Sequence, residues 1–76
     1  MVEFLIKINE KQRLAYIPKE IVNTMGNVLK IKPDQFAMIA YPDGIDLEHV
    51  IKSVEILLED LKHQKEVKDG FNKKPH

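Results

Sequence analysis

The chain has 76 residues and a formal net charge of zero, with 43% hydrophobic residues, 32% charged residues and no cysteine. These values exclude a second domain, a disordered chain and any thiol-based staple, and no apolar run reaches the ~18 residues that a membrane span needs. A chain this short forms only a modest core, so oligomerisation is the favoured source of its stability.

The zero net charge hides a separation of charge along the chain. Residues 1–33 hold six basic residues against three acidic ones, whereas residues 34–76 hold six basic residues against nine acidic ones. In a dimer each imbalance would double. Nucleic acid therefore remains a candidate partner for residues 1–33.

Two strands and a short helix are predicted at the N-terminus. Val2–Ile8 and Arg13–Ile17 alternate in side-chain character, as half-buried strands do, and a polar turn separates them. Pro18 has no N–H to donate, so it ends the ladder and suits the first turn of a helix. Lys19–Met25 has helical spacing, and Gly26 is well placed as the left-handed residue beyond the last turn.

Two extended segments, each followed by a turn, are predicted in the middle of the chain. Val28–Ile31 is a short extended segment, and Pro33-Asp34 follows it as a turn. Phe36–Tyr41 is apolar at every position, which is typical of a strand buried on both faces. Pro42-Asp43-Gly44 is a strong turn signal.

An amphipathic helix is predicted over residues 46–67, with Asp46 as its N-cap. Apolar residues recur there at alternating steps of three and four, as expected of an oligomerisation face: Leu47, Val50, Val54, Leu57 and Leu61. Because the spacing lasts about two heptads, it indicates a helix that packs in a core or between copies rather than a long coiled coil. Docking of another protein is the alternative. Residues 68–76 contain turn residues and no period, which predicts a flexible tail.

One stretch of the sequence resembles a known family. Residues 8–21 run through a strand, a polar turn with an arginine, an Ile-Pro end and a short helix that opens with Lys-Glu and closes before a glycine. This order is similar to the N-terminal signature of the AbrB/SpoVT (MazE-like, swapped-hairpin) family, in an archaeal-type member. Lys32-Pro33-Asp34, the following strand and the Asp-Gly turn are similar to the second half of the family domain, so the resemblance covers residues 4–47.

The chain departs from the family pattern at two turns and at its C-terminal end. Gln12 stands where a glycine usually accompanies the turn arginine, and Asp34 replaces the glycine of the Lys-Pro turn. The predicted C-terminal helix is also longer than the short strand of many family members.

The resemblance implies an α+β fold, a swapped-hairpin AbrB-like β-barrel dimer with an added C-terminal amphipathic helix. Residues 1–45 would form the DNA-binding domain, 46–67 the oligomerisation or partner helix, and 68–76 a flexible tail. The implied function is sequence-selective or architectural binding of double-stranded DNA by a transcriptional regulator in the cytoplasm, associated with the nucleoid. The regulator would be a homodimer or a higher oligomer of this chain. The expected DNA-binding residues are Lys7, Lys11, Gln12, Arg13 and Lys19.

Two other functions stay open. In an antitoxin, the C-terminal helix would bind and neutralise a toxin protein, and in a pure protein-interaction module the chain would never touch nucleic acid. No catalytic constellation is visible, because Thr24 and Ser53 lie inside predicted helices and the three histidines lack a metal-ligand spacing. The sequence therefore predicts no enzyme, no cofactor, no metal and no membrane partner.

Overall fold

The computed structural model of the chain describes the backbone of residues 1–72 and the side-chain exposure of residues 1–69. The elements follow in the order α1 (Lys19–Met25), β1 (Leu29–Pro33), β2 (Met38–Pro42) and α2 (Leu47–Asn72). The chain divides into two compact units, Met1–Ile45 and Asp46–His76. The predicted α+β class is confirmed as a two-stranded antiparallel hairpin followed by a C-terminal helix.

The N-terminal strands predicted from alternation do not form in this chain. Within residues 1–18 the only strand-like pairing is one antiparallel bridge between Asn9 and Leu14. The Asn9 N–H donates to the Leu14 carbonyl at 2.7 Å, and the Arg13 N–H donates to the Asn9 carbonyl at 2.6 Å. A strand needs a neighbour that accepts and donates hydrogen bonds along its length. Val2–Ile8 and the segment after Leu14 have no such neighbour here.

Helix α1 is bounded by the two residues that the sequence indicated. Pro18 is the N-cap with φ of −53°, so it precedes the helix instead of occupying its first turn. Its carbonyl accepts a hydrogen bond from the Ile21 N–H at 3.0 Å. Gly26 has the predicted positive φ, 81°, and its N–H donates to the Val22 carbonyl at 2.8 Å.

The hairpin of β1 and β2 has one face that is entirely apolar. Leu29 pairs with Pro42 and Pro33 pairs with Met38 at the two ends of the register. Because directly opposite residues share a face and the period is two, one face carries Lys30, Lys32, Ile39 and Tyr41. The other face, called here the hairpin apolar face, consists of Leu29, Ile31, Pro33, Met38, Ala40 and Pro42. Ile31 and Met38 on this face are 56% and 64% exposed.

The second strand begins later than predicted. β2 starts at Met38, and Phe36 lies in the loop before it with 92% of its surface exposed. The loop is closed by a hydrogen bond from the Asp34 N–H to the Ala37 carbonyl, 2.7 Å, which leaves Phe36 outside the ladder. The prediction that Phe36–Tyr41 is buried on both faces is therefore wrong for the single chain.

Helix α2 starts at the predicted cap and continues beyond the predicted end. The Asp46 Oδ1 accepts a hydrogen bond from the Glu48 N–H at 3.1 Å, which confirms the N-cap. The helix then runs to Asn72, so residues 68–72 of the predicted flexible tail are helical. Gly70 weakens a helix by only about 1 kcal/mol relative to alanine, which is too little to stop a helix already this long. The rest of the predicted tail, residues 73–76, lies outside the described residues.

No residue between 1 and 69 is buried. Several large side chains are almost fully exposed, including Leu5 at 91% and Tyr16 at 98%. Folding costs roughly 1–2 kcal/mol of backbone entropy per residue, and burial of apolar surface is the main term that offsets this cost. Within the described part of a single chain, that compensating core is not present.

Candidate nucleic-acid interface

A four-residue loop, residues 10–13, displays three of the five predicted DNA-binding side chains. The bridge between Asn9 and Leu14 closes the loop, and the Asn9 Oδ1 accepts the Gln12 N–H at 3.0 Å. Asparagine suits this position because its side chain can bond to a backbone N–H a few residues later in the chain. The loop, called here the basic loop, therefore holds Lys11, Gln12 and Arg13 next to one another with an ordered backbone.

Arg13 carries the strained backbone of the basic loop. Its φ is +57°, and among the described residues no other non-glycine residue has a positive φ. A side chain with a Cβ pays about 1 kcal/mol or more for this left-handed conformation. The family resemblance places a glycine beside the turn arginine, whereas here the arginine itself adopts the left-handed conformation. No sequence signal predicts the left-handed conformation at Arg13, since glycine and asparagine are the residues that usually indicate such a position.

The two remaining predicted residues flank the basic loop in the sequence. Lys7 lies two residues before the bridge, and together with Gln12 and Tyr16 it lines an open concavity of about 600 Å³ between residues 7–9 and residues 14–16. Lys19 is the first residue of α1 and lies outside the loop. The structure thus gathers Lys7 with the basic loop and places Lys19 at the start of the next element.

Among the described residues, two lysines elsewhere in the chain pair with carboxylates, whereas the candidate DNA-binding cations do not. The Lys30 Nζ lies 3.7 Å from the Asp43 Oδ1, and the Lys62 Nζ lies 3.7 Å from the Glu59 Oε1. Among residues 1–72, no ion pair involves the predicted DNA-binding cations Lys7, Lys11, Arg13 and Lys19. All four are exposed. Their charges are therefore available to an external anion.

No family model, curated protein or solved structure matches this chain.

Within residues 1–72, no three histidine, aspartate or glutamate side chains come close enough together to hold a metal ion. In the same part of the chain, no helix combines the length and the apolar character required to cross a membrane.

Helix α2 presents a second candidate surface. At 100° per residue, seven apolar residues between 47 and 61 fall on an arc about 120° wide. They are the predicted oligomerisation residues Leu47, Val50, Val54, Leu57 and Leu61, together with Ile51 and Leu58. This α2 apolar face is uncovered over most of its length, since Leu47, Leu57 and Leu61 are 59%, 46% and 60% exposed.

Substitutions of Arg13 should separate its backbone strain from its charge. Arg13→Asn keeps a residue that tolerates positive φ and removes the cation, whereas Arg13→Lys keeps the cation and the strain. We expect Arg13→Asn to raise the free energy of unfolding by up to about 1 kcal/mol and to weaken DNA binding. We expect Arg13→Lys to change the unfolding free energy little. Urea unfolding and a DNA titration of each variant measure the two effects, and a destabilised Arg13→Asn protein would contradict the assigned strain.

Proposed function

We propose that this chain is the subunit of a homodimeric DNA-binding protein that regulates transcription. The basic loop, with Lys7 and Lys19 at its flanks, contacts the phosphates of double-stranded DNA. The resemblance of residues 4–47 to the AbrB/SpoVT family supports the same assignment.

The observation that carries the proposal is the set of unpaired cations around an ordered loop. Lysine and arginine bind DNA by neutralising phosphates and releasing condensed counterions, and a cation without a carboxylate partner gives up no ion pair when it does so. Lys11 and Arg13 have no carboxylate partner within the described chain, in contrast to Lys30 and Lys62.

The proposed dimer is supported by the exposed apolar surface of the single chain and by its N-terminal segments that lack strand partners. The hairpin apolar face is exposed, and the arms on either side of the basic loop, residues 1–8 and 15–18, form no strand. Exchange of hairpins between two copies would give these arms backbone partners and would cover the apolar face. Such a dimer has two basic loops, one from each chain, so up to eight of the predicted cations act together.

A titration of a fluorescent duplex at increasing salt tests the DNA-binding function. Each phosphate contact contributes about 0.9 to the slope of log affinity against log salt concentration. Eight contacts would give a slope near −7 and a loss of about 10⁴ in affinity between 50 and 200 mM salt. Fluorescence anisotropy measures both quantities. Absence of binding at 50 mM salt would refute the proposed function.

A further inference from the structure

Gln12 differs from the other predicted DNA-binding residues because its side chain carries no charge. A neutral amide displaces no counterion, so it adds nothing to the salt-dependent attraction between a protein and phosphates. The Gln12 side chain is exposed, and within residues 1–72 its amide has no hydrogen-bond partner. This amide offers a donor and an acceptor side by side. Phosphate oxygens only accept hydrogen bonds, so a partner that uses the whole amide has to present both functions.

The backbone on both sides of Gln12 is held by one residue, Asn9. The Gln12 N–H donates to the Asn9 Oδ1 at 3.0 Å, and the N–H of the next residue, Arg13, donates to the Asn9 carbonyl at 2.6 Å. The Asn9 N–H in turn donates to the Leu14 carbonyl at 2.7 Å. The direction in which the Gln12 side chain leaves the backbone is therefore fixed before a ligand binds, which lowers the entropy that binding costs.

The basic loop is narrow enough to enter the major groove of DNA. At a bridge such as that between Asn9 and Leu14, two antiparallel backbones lie about 5 Å apart, whereas the groove is about 12 Å wide and admits a two-stranded ribbon. Lys11 and Arg13 precede and follow Gln12, and neither has a carboxylate partner within residues 1–72. Phosphates border the groove on both sides, so these cations suit its rim and the amide suits the base edges inside it.

Only one base presents the complement of this amide in the major groove. Adenine offers its N7 acceptor and its N6 donor next to each other, whereas guanine offers two acceptors, cytosine a donor, and thymine an acceptor beside a methyl group. Glutamine pairs with both groups of adenine at once. The chemistry of Gln12 therefore favours adenine.

We propose that Gln12 is a specificity-determining residue whose amide pairs with N6 and N7 of an adenine in the major groove, and that Asn9 is its positioning residue. This role of Gln12 rests on the proposed function, since it requires the basic loop to bind double-stranded DNA. Within the loop, the cations bind any duplex, and Gln12 adds the preference for one base.

Selection from a library of random-sequence duplexes, followed by titrations with a modified base, tests the role of Gln12. The full-length chain enriches duplexes, and each enriched adenine is then replaced in turn by deaza-adenine, in which a C–H group replaces N7 and pairing with thymine is kept. We expect one such replacement to weaken binding by the parent chain about fivefold or more, the lower range for a bidentate pair. This ratio of affinities is called here the deaza penalty. Gln12→Ala should bind the enriched and the modified duplex equally well.

Two further positions separate base recognition from attraction to phosphates and from folding. Lys11→Ala should weaken binding to both duplexes and lower the salt slope by about 0.9 for each lost contact, yet keep the deaza penalty. Asn9→Ala should reduce the deaza penalty, and Asn9→Ser should restore part of it, because a serine hydroxyl can also accept the Gln12 N–H. A loss of folding alone lowers the affinity for both duplexes by the same factor and leaves the deaza penalty unchanged.

The outcomes distinguish the role of Gln12 from the proposed function. Binding of random duplexes with no enriched adenine, or a deaza penalty that persists in Gln12→Ala, overturns the role of Gln12 while DNA binding stands. An unchanged deaza penalty in Asn9→Ala overturns the positioning role of Asn9. Absence of binding at low salt overturns the proposed function and the role of Gln12 together.

Discussion

The midpoint of thermal unfolding should rise with protein concentration. No residue between 1 and 69 is buried within a single chain, so the compensation for chain entropy has to come from contacts between chains. For a dimer, a tenfold increase in concentration adds about 1.4 kcal/mol of stability. In a folded unit of roughly 150 residues, this corresponds to an increase of about 3 to 6 °C in the midpoint. Circular dichroism measures the midpoint at protein concentrations of about 5, 50 and 500 µM, which span two decades.

Two adjacent residues of β1 provide the variant and its control. Ile31 lies on the hairpin apolar face and is 56% exposed, whereas Lys32 lies on the other face. If a second chain covers the apolar face, Ile31→Asn should reduce the stability of the dimer by several kcal/mol, because it buries an unpaired amide and removes apolar area. Lys32→Asn should cost less than about 0.5 kcal/mol. If the midpoint does not depend on protein concentration, and if both variants lose equally little stability, the chain folds alone.

Sequence reasoning predicted the features whose signals lie within one turn of the chain. Asp46 caps α2 through its own side chain, and Gly26 ends α1 with a positive φ, so each position is determined by a few neighbouring residues. The turn at Pro42-Asp43-Gly44 was predicted for the same reason, and Gly44 has a φ of +83°. Local chemistry therefore located most of the boundaries.

The predictions that failed concern which backbone segments pair with each other, what covers an apolar strand, and how long α2 is. The alternation of Val2–Ile8 reports which side chains could share a face, but a strand forms only when another backbone is available, and that depends on residues far along the chain or in another chain. The predicted burial of Phe36–Tyr41 on both faces failed for the same reason. An apolar run indicates that a strand has to be covered, but it does not indicate which residues or which chain cover it. The end of α2 was predicted too early because residues 68–76 contain turn residues and no helical period, although a long helix tolerates one glycine.

The candidate site was predicted in its composition but not in its geometry. The sequence indicated Lys11, Gln12 and Arg13 as a polar turn with cations. It did not indicate that Asn9 would close the loop through its side chain, or that Arg13 would take the left-handed conformation. A closed loop of four residues needs one residue that reverses the chain direction into the bridge. Without a glycine or asparagine at the end of the loop, Arg13 is left to do so.

Removal of the basic-loop cations should have a much larger effect on DNA binding than removal of paired lysines. Lys11→Ala with Arg13→Ala deletes two charges per chain, hence up to four phosphate contacts per dimer. The salt slope should fall by up to about 3.6 units, and affinity at 0.1 M salt should fall by roughly 10² to 10³.

The control, Lys30→Ala with Lys62→Ala, removes the same net charge from residues that already pair with Asp43 and Glu59. Long-range attraction to DNA changes equally in both proteins, so a difference between them measures direct contact and not overall charge. We expect the control to lose less than about tenfold in affinity and to keep the slope of the parent chain. Equal losses of affinity in the two proteins would mean that DNA binding depends only on net charge, and the basic loop would then have no specific part in binding. A larger loss in the control would place the interface around Lys30 or Lys62 instead.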